Sequence, residues 1–582
     1  MGARPRSLPA PRGESLPRSS GRVSVVAWVH LEVYRGYTLR AAQFHRSGDA
    51  EAARSRICSE GQAHETQEYP VTTMTDSVPP RPDTHVDRPF ATGPVLGVAA
   101  VAAVVLLLSA TRYGYFGDEL YFLAAGRRLS FGYADQGPVL PLLAALGDTV
   151  APGSLVALRL PAILLTVVAI VVSALVAREF GGGRGAQVLT AVAYATSPFL
   201  LMQAKNLSTN AIDSALWVLI TWLVVRWVRT RRDGLLLAAA AVTALDMQVK
   251  WLIPFFWIAV VASSLVFGPR DLVRRPLLWA GGLIVLLVSV PSLFWQARHG
   301  WPQLGLGAVV RAEQQYSGGP ATFVPLAVLL AGALGAVLLC YGLWALLRHE
   351  PLRPYRFLGA TTVLLLAVFL VSGGRVYYLA GMYGVVFAAG AVALAAAVRR
   401  AESVRRRRVL LGSGAALVAV SLALIAGSTP WQDPAEITPP ANDTEAALNI
   451  GLYGEFGWTE LADAVVTAHR SLTPGERAHS AVITESYWQA GALDQLARTQ
   501  LPEVHSPSRG FGYFGAPADS ATTMVCVGGD EERLRAQFAT LEPIGHVDTR
   551  LGFLGNTRDV TLWKCAQPRR PWSQVWPEWM HL

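Results

Sequence analysis

Apolar runs long enough to cross a bilayer recur through the chain between residues 93 and 428. A helix needs about 20 residues to span the hydrocarbon core, and these runs are uniformly apolar rather than amphipathic. Hydrophobic residues make up 52% and charged residues 16% of the 582 positions, which excludes an ordinary soluble multidomain protein. Lys250 interrupts one pair of runs. The pattern predicts a mainly α polytopic membrane protein with eleven spans, at residues 93–110, 156–177, 186–204, 212–228, 235–249, 251–268, 277–297, 323–347, 357–372, 378–398 and 409–428.

The net charge of +9 comes from arginines that are concentrated between alternate spans. The clusters are Arg178/Arg184, Arg226/Arg229/Arg231/Arg232, Arg270/Arg274/Arg275, Arg348/Arg353/Arg356 and Arg399/Arg400/Arg405 to Arg408. Basic loops stay in the cytoplasm, so all five clusters are predicted inside. The loops predicted outside are 111–155, the turns near Lys205 and Lys250, 298–322, 373–377 and everything after 429. The charge therefore indicates topology, and nucleic-acid binding is not expected.

Residues 1–73, the first part of a predicted tail at 1–90, differ from the rest of the chain. They are rich in Arg, Ser and Pro, and the segment "VSVVAWVHLEV" is too interrupted to act as the apolar part of a secretory signal. Two interpretations stay open: a disordered cytoplasmic tail, or a start codon assigned too early. We favour the second, with the working protein beginning at Met74.

The final 153 residues begin within a Pro-rich, acidic linker, "GSTPWQDPAEITPPANDTE". Helical and strand-like segments alternate in residues 430–582, which predicts a small extracytoplasmic α/β domain after a membrane body at 91–429. Cys526 and Cys565 lie in strand-like runs, and an oxidising compartment permits a bond between them. The sequence leaves open whether they pair. No Cys or His spacing suggests a zinc site.

Two adjacent carboxylates, Asp118 and Glu119, follow the first span in "RYGYFGDELYFLAAGRRL". They open a segment predicted to be an amphipathic helix along the outer surface. Asp118 also suits a helix N-cap, with Glu119 favourably placed against the helix dipole. The arginines Arg127 and Arg128 suit either substrate binding or anchoring at the interface.

Further polar residues fall on the same predicted face. Asp213 begins a span, where an acid is costly unless it faces a cavity, a partner or water. Lys250 lies between two apolar runs, where it either snorkels or binds a ligand. Arg375 occupies a short turn beside Tyr377 and Tyr378, which also suit an aromatic belt.

Acids and cations on one side of one membrane suit transfer of a group from a phosphate-bearing lipid. A carboxylate can take the proton of an incoming hydroxyl group. Cations can hold the phosphate and stabilise the charge that develops as it leaves. A cavity between spans would let a polyprenyl tail remain in lipid.

Several blocks resemble, in the same order, bacterial membrane glycosyltransferases of family 39. This family belongs to the GT-C superfamily of polyprenyl-phosphate-sugar-dependent enzymes, with protein O-mannosyltransferases and the lipid A aminoarabinose transferase. The resemblance spans about residues 95–400 and continues weakly into "ITESYWQAGAL" and "PRRPWSQVWP". The blocks that carry it are "YGYFGDELYFLAAGRRLSFGYADQGPVLPLLAAL", "SPFLLMQAKNLSTNAIDSALWVL", the Lys250 turn, "LFWQARHGWPQL" and "GGRVYYLAGMYGVVFAAGA".

The resemblance implies roles for individual residues. Asp118 is implied as the catalytic base or its close partner, with Glu119 in support. Asp135 matches an acid that a proline run usually follows, but Gly137 replaces the first proline, which changes the expected loop geometry.

Three further positions match the family pattern. Asp213 matches the acid that begins a span, and Lys250 matches a basic residue implied in binding of the donor phosphate. Arg375 stands where lysine is more usual, and arginine can grip phosphate with two donors.

The expected function is transfer of a sugar from a polyprenyl phosphate to a protein, glycan or lipid acceptor on the extracytoplasmic face, with inversion. No cofactor is required for this chemistry, and a divalent metal is compatible with it. Two alternatives are a lipid or sugar transporter or flippase, which usually shows repeated halves or broken helices, and a non-catalytic envelope-assembly protein.

Overall fold

The structure is a computed structural model that describes residues 88–316, 319–428 and 430–582. The predicted disordered tail and the alternative start at Met74 lie outside the described residues, apart from positions 88–90. The described residues belong to one compact unit.

Helices dominate the body, as the apolar runs predict. Three 3-10 segments, Arg270–Leu272, Glu350–Tyr355 and Val376–Met382, connect some of them. The helices are α1 (Thr92–Ser109), α2 (Gly117–Gly126), α3 (Val139–Val150), α4 (Leu155–Glu179), α5 (Arg184–Ala195), α6 (Pro198–Ala204), α7 (Thr209–Thr230), α8 (Gly234–Met247), α9 (Ile253–Phe267), α10 (Pro276–Arg298), α11 (Pro302–Tyr316), α12 (Gly319–Leu330), α13 (Gly332–Arg348), α14 (Arg356–Ser372), α15 (Tyr383–Arg399) and α16 (Val404–Ser428).

Among the described residues, seven helical segments are long and apolar enough to cross a membrane. They are Thr92–Ser109, Leu155–Glu179, Thr209–Thr230, Pro276–Arg298, Glu350–Ser372, Val376–Arg399 and Val404–Ala426. The number rises to nine if two bent pairs each count as one span: α5 with α6, bent by 60°, and α12 with α13, bent by 111°. The predicted span 323–347 is therefore broken rather than straight.

The remaining two of the eleven predicted spans form shorter helices. α8 and α9 have 14 and 15 residues, and both fall below spanning length. The turn that carries Lys250 separates them, so a single polar turn shortens both helices. The count of seven to nine leaves α8 and α9 out by their length alone.

Local sequence explains where several helices begin and end. Ser154 Oγ accepts a hydrogen bond from the Ala157 N–H at the start of α4, and Ser208 Oγ accepts one from the Ala211 N–H at the start of α7. Gly373, with φ of 69°, ends α14 in the left-handed conformation and turns the chain toward Arg375.

The loops fall into two groups, because each spanning helix connects one group with the other. We call the loops 178–184, 226–233, 270–275, 348–356 and 399–408 the arginine end. We call the loops 110–154, 205–208, 248–252, 299–316 and 373–378 the site end. At the arginine end, Arg231 contacts Asp271 across two loops at 2.6 Å. The predicted grouping of the arginine clusters is thus present in the fold.

The C-terminal region, residues 430–582, combines helices with one mixed sheet. Its helices are α17 (Asp443–Leu448), α18 (Ile450–Tyr453), α19 (Trp458–Ser471), α20 (Pro474–Ala478), α21 (Tyr487–Leu496), α22 (Glu531–Gln537) and α23 (Trp572–Trp579). Its strands are β1 (Ser480–Thr484), β2 (Val504–His505), β3 (Thr523–Val527), β4 (Phe538–Val547) and β5 (Val560–Pro568). The prediction of a mainly α chain with a small C-terminal α/β region is confirmed.

The sheet has the order β2-β1-β3-β5-β4. β1 pairs in parallel with β2 and β3, whereas β5 pairs antiparallel with β3 and β4. Cys526 and Cys565, on the adjacent strands β3 and β5, form a disulfide with a Cα–Cα distance of 6.4 Å. The pairing that the sequence left open is therefore present.

The C-terminal region shares an apolar core with the site end of the body. Leu120 and Leu123 of α2 pack in one cluster with Trp458, Trp488 and Val525. In contrast, α10 and α16 bury little of their surface, and Leu286 and Leu287 are more than half exposed. Apolar surface of this extent suits contact with lipid.

Candidate active site

Asp118 is held by two side chains of the C-terminal region. Its Oδ1 accepts hydrogen bonds from the Tyr487 hydroxyl group and from the Trp488 indole N–H, each at 2.8 Å. Burial and the charge of Asp118 raise the pKa of Tyr487 well above its usual value, so the hydroxyl group stays protonated and donates. No side chain in the described part of the chain hydrogen-bonds Oδ2. The carboxylate is therefore oriented, with one oxygen left for a ligand.

Glu119 has a different environment from its neighbour. It is fully buried and forms a two-pronged ion pair with Arg159, with distances of 2.6 and 2.9 Å. It also accepts hydrogen bonds from the backbone N–H groups of Phe116 and Leu207, both at 2.9 Å. All these contacts are internal, so Glu119 positions α2, and contact with substrate stays a prediction.

The helix-terminus interpretation applies to Glu119 rather than to Asp118. Phe116 is the N-cap residue of α2, and Glu119 reaches back to the Phe116 N–H. Asp118 is therefore the second residue within the helix and not its N-cap. Its side chain is free to turn toward Tyr487.

Asp135 lies in the loop after α2 and faces the same space. Its Oδ1 accepts a hydrogen bond from the Tyr121 hydroxyl group at 3.0 Å. Burial raises the pKa of Asp135, while the nearby Arg509 and the bond from Tyr121 oppose the rise. Asp118 is also close enough to Asp135 to contribute to the rise. The structure brings these two predicted acids together.

Position 137 has no room for a side chain, because the backbone of Gln248 lies directly against it. A Cβ atom at this position would lie 2.1 Å from the backbone oxygen of Gln248. The Val139 N–H donates to the same oxygen at 3.2 Å. Gly137, which stands where the family usually has proline, therefore lets the Asp135 loop pack closely against the Lys250 turn.

Arg509 reaches the site from a loop of the C-terminal region. Its φ of 47° is unusual for a residue with a side chain. Its N–H donates to the His581 carbonyl at 2.7 Å, and the His581 N–H donates to Pro507 at 3.0 Å. A Cβ atom at Gly510 would lie 1.8 Å from the Tyr121 hydroxyl oxygen, so glycine permits this close approach.

Lys250 is fixed between an amide and two aromatic rings. Its Nζ donates to Asn210 Oδ1 at 2.6 Å. It lies 4.6 Å from the ring centre of Tyr378 and 5.4 Å from that of Tyr377. Cation–π contact favours this placement. The predicted residues Lys250, Tyr377 and Tyr378 therefore form one group, and the aromatic pair does more than mark an interface.

Asp213 lies near this group, in the first turns of α7. A second acid, Asp246, lies near the group too, although the sequence did not single it out. Asp213 and Asp246 are buried, and both interact electrostatically with Lys250. Trp217 lies beside both carboxylates. The structure therefore brings both acids near Lys250 in the protein interior.

Arg375 pairs with Glu313 of α11, and Glu313 also pairs with Arg509. Arg375 Nη2 donates to Glu313 Oε2, and Arg509 Nη2 donates to Glu313 Oε1 at 2.8 Å. The guanidinium of Arg509 also lies over the ring of Tyr487, 5.2 Å from its centre. One carboxylate thus bridges a cation of the body and a cation of the C-terminal region.

Arg127 and Arg128 lie apart from this cluster. They follow the other end of α2, about 13 Å from Asp118 along the helix axis. Both form ion pairs with Asp494 of α21, at 2.8 and 2.9 Å, and Arg127 also pairs with Asp148 at 3.3 Å. Their contacts fasten α2 to the C-terminal region, and a role in substrate binding stays a prediction.

Sequence signals were available for some of the missed residues. Arg159 is a charge inside an apolar run, and Asp246 precedes Lys250 by four residues, the spacing of a helical ion pair. Tyr487 and Trp488 fall in the weakly similar block "ITESYWQAGAL". Within the described ranges, no group of three or more His, Cys, Asp or Glu side chains is arranged to hold a metal ion.

Comparison with known proteins agrees with the predicted resemblance. Residues 135–295 match the sequence model of a family described as dolichyl-phosphate-mannose-protein mannosyltransferase. This segment contains Asp135, Asp213 and Lys250. No curated protein sequence matches the chain significantly.

Solved structures extend the similarity over most of the chain. ArnT from Cupriavidus metallidurans bound to undecaprenyl phosphate is 16% identical with a TM-score of 0.55, and the match covers 81% of this chain and 98% of ArnT. ArnT in the apo state is 14% identical with a TM-score of 0.53 and the same coverage. The chain therefore has an ArnT-like GT-C fold, and the predicted resemblance is confirmed.

Proposed function

We propose that this multi-pass chain is a membrane glycosyltransferase that moves a sugar from a polyprenyl phosphate to an acceptor on the extracytoplasmic face. One observation carries the proposal. Asp118 is fixed through one oxygen by Tyr487 and Trp488, and Arg509 and Asp135 lie beside it. The ArnT-like fold, the matching family model and the undecaprenyl phosphate bound to ArnT support a donor of this class.

Asp118 is the proposed general base. Its Oδ2 takes the proton of the acceptor hydroxyl group as the acceptor oxygen attacks the anomeric carbon. The bond between that carbon and the phosphate oxygen breaks, and the electron pair leaves with the polyprenyl phosphate. A single displacement of this kind inverts the anomeric centre.

Cations of the site are the proposed phosphate ligands. Lys250, Arg375 and Arg509 come from different parts of the chain and gather at the site end. Their charge stabilises the phosphate as negative charge develops on it. The proposed step does not depend on a divalent metal.

We also propose that the site end faces away from the cytoplasm. The arginine end would then lie inside, in agreement with the positive-inside rule. The disulfide between Cys526 and Cys565 supports this orientation, because such bonds persist in oxidising compartments. The body, residues 91–429, and the C-terminal region would each contribute residues to one external site.

The test of the base is Asp118→Asn in membranes supplied with a labelled polyprenyl-phosphate sugar. Loss of the base is expected to lower transfer by about 10²- to 10⁴-fold. Asp463→Asn is the matched control, because Asp463 is an exposed acid of α19. Transfer by Asp118→Asn at the parent rate, at normal protein level, would show that the assignment is wrong.

The sugar and the acceptor are identified by a separate experiment. Glycans and glycoproteins of the envelope are compared by mass analysis with and without the protein. We expect one hexose or pentose to be lost from a defined acceptor class when the protein is absent. An unchanged envelope would argue against an enzymatic role.

A further inference from the structure

We propose that Arg375 and Arg509 form a binding subsite for the donor's phosphate, and that Glu313 occupies this subsite when no lipid is bound. Glu313 is then an internal competitor of the donor. The inference rests on the proposed function, because it assigns a place to the phosphate of the same donor. It also adds two residues, Arg509 and Glu313, to those that the sequence predicted.

The geometry of the three side chains is that of an occupied anion site. The two carboxylate oxygens of Glu313 each accept from a different guanidinium group, Oε2 from Arg375 and Oε1 from Arg509. Guanidinium groups form strong, directional bonds with carboxylates and with phosphates alike. A phosphate that entered between the two arginines would replace the same pair of contacts.

The residues around Arg509 hold its side chain at the proposed phosphate subsite. Its backbone has a left-handed conformation and donates one hydrogen bond to the His581 carbonyl, and Tyr487 lies under its guanidinium group. Tyr487 also donates to Asp118. A phosphate at Arg509 would therefore lie close to the proposed base, where the anomeric carbon must be.

Glu313 is placed so that it can leave. Its side chain is 37% exposed, whereas the side chain of Glu119 in its ion pair is completely buried. α11 exposes much of its surface, including Leu304 at 72%. Both arginine side chains also keep part of their surface in water, so a charged ligand can compete with Glu313 for them.

The experiment measures binding of undecaprenyl phosphate, without a sugar, to the full-length protein in detergent. Glu313→Gln is expected to bind about three- to tenfold more tightly, because the amide competes less well for the two arginines. Arg509→Gln is expected to bind at least tenfold more weakly, and Arg509→Lys to recover part of the loss. Glu531→Gln, which removes an exposed ion pair with Arg535 in the same C-terminal region, is the matched control and should bind like the parent.

The outcomes separate this inference from the proposed function. If the parent chain does not bind undecaprenyl phosphate, the donor class is wrong. If the parent binds it but Glu313→Gln binds equally or more weakly, with an unchanged unfolding temperature, Glu313 is not a competitor. If Arg509→Gln binds like the parent, the subsite is wrong even though the donor class stands.

Discussion

The site end and the arginine end use the same residue types in different environments. At the site end, Glu119 and Arg159 are completely buried and pair only with protein groups. At the arginine end, Arg353 and Glu350 are 70% and 72% exposed. A buried pair has displaced water at considerable cost and must be complete, whereas an exposed pair keeps its water and contributes little.

The comparison shows how to separate charges that orient a membrane chain from charges that build a site. An exposed pair such as Arg353–Glu350 can be removed with little loss, whereas the buried Glu179 at the same end keeps specific partners in Arg226 and Arg229. Position is decisive for Asp118, Glu119 and Glu313 at the site end, because each of these acids has specific partners.

The largest effect is expected for Glu119→Gln. It leaves Arg159 buried without a negative partner, and breaking such a pair costs about 3–5 kcal/mol. The yield of folded protein and the unfolding temperature in detergent measure this cost. Glu350→Gln at the arginine end is the control, and similar unfolding temperatures for the two variants would remove the distinction between the ends.

A smaller effect, on transfer rather than on folding, is expected for Tyr487→Phe. It removes one of two hydrogen bonds that orient Asp118, and a bond to a charged group contributes about 1.5–3 kcal/mol. We expect kcat/KM to fall about tenfold or more, with little change in unfolding temperature. Tyr513→Phe serves as the control, because the ring of Tyr513 contacts Trp295 instead. Equal kcat/KM values for both variants would show that Asp118 needs no second donor.

A third prediction concerns pH and Asp135. Its pKa is raised in the folded protein, so the folded state holds the proton more tightly than the unfolded state does. Its ionisation therefore lowers stability as the pH rises from the ordinary pKa of an aspartate to the raised value, and the loss persists above it.

The variant Asp135→Asn tests this sign. It should unfold at a higher temperature than the parent at neutral pH, with a difference that disappears in acid. Transfer should fall in the same variant, because Asp135 lies beside Arg509 in the proposed site. A lower unfolding temperature at neutral pH would show that the interaction with Arg509 outweighs burial.

The smallest effect is expected for Arg353→Ala. The residue is exposed and its ion pair with Glu350 lies at 3.2 Å on the surface. We expect stability to change by less than about 0.5 kcal/mol and transfer to stay at the parent level. A large loss of transfer would mean that the arginine end contributes to chemistry.

Much of the fold could be predicted because membrane-spanning helices correspond to continuous apolar runs in the sequence. The exceptions are local: the turn at Lys250 shortens α8 and α9, and the break at Ala331 bends the predicted span 323–347. A uniform hydropathy does not indicate where a helix bends. The sign and spacing of the loop charges, in contrast, were sufficient to group the loops.

The residues of the candidate site could be predicted only on the side that the body contributes. Asp118, Asp135, Lys250 and Arg375 stand out as polar residues next to apolar runs. The bonds from Tyr487 and Trp488 to Asp118 join positions 369 and 370 residues apart, so no local pattern indicates them. The roles of Asp118 and Glu119 are likewise decided by partners that are distant in sequence.

The core that α2 shares with the C-terminal region limits how such a protein can be recombined. Leu120, Trp458 and Trp488 belong to one apolar cluster, and Asp118 depends on donors from beyond residue 430. A chimaera that exchanged residues 430–582 for those of a relative would need matching surfaces on both sides of the junction. Substitutions on α2 and on α21 should accordingly be inherited as compensating pairs, and the two portions should diverge together rather than as interchangeable modules.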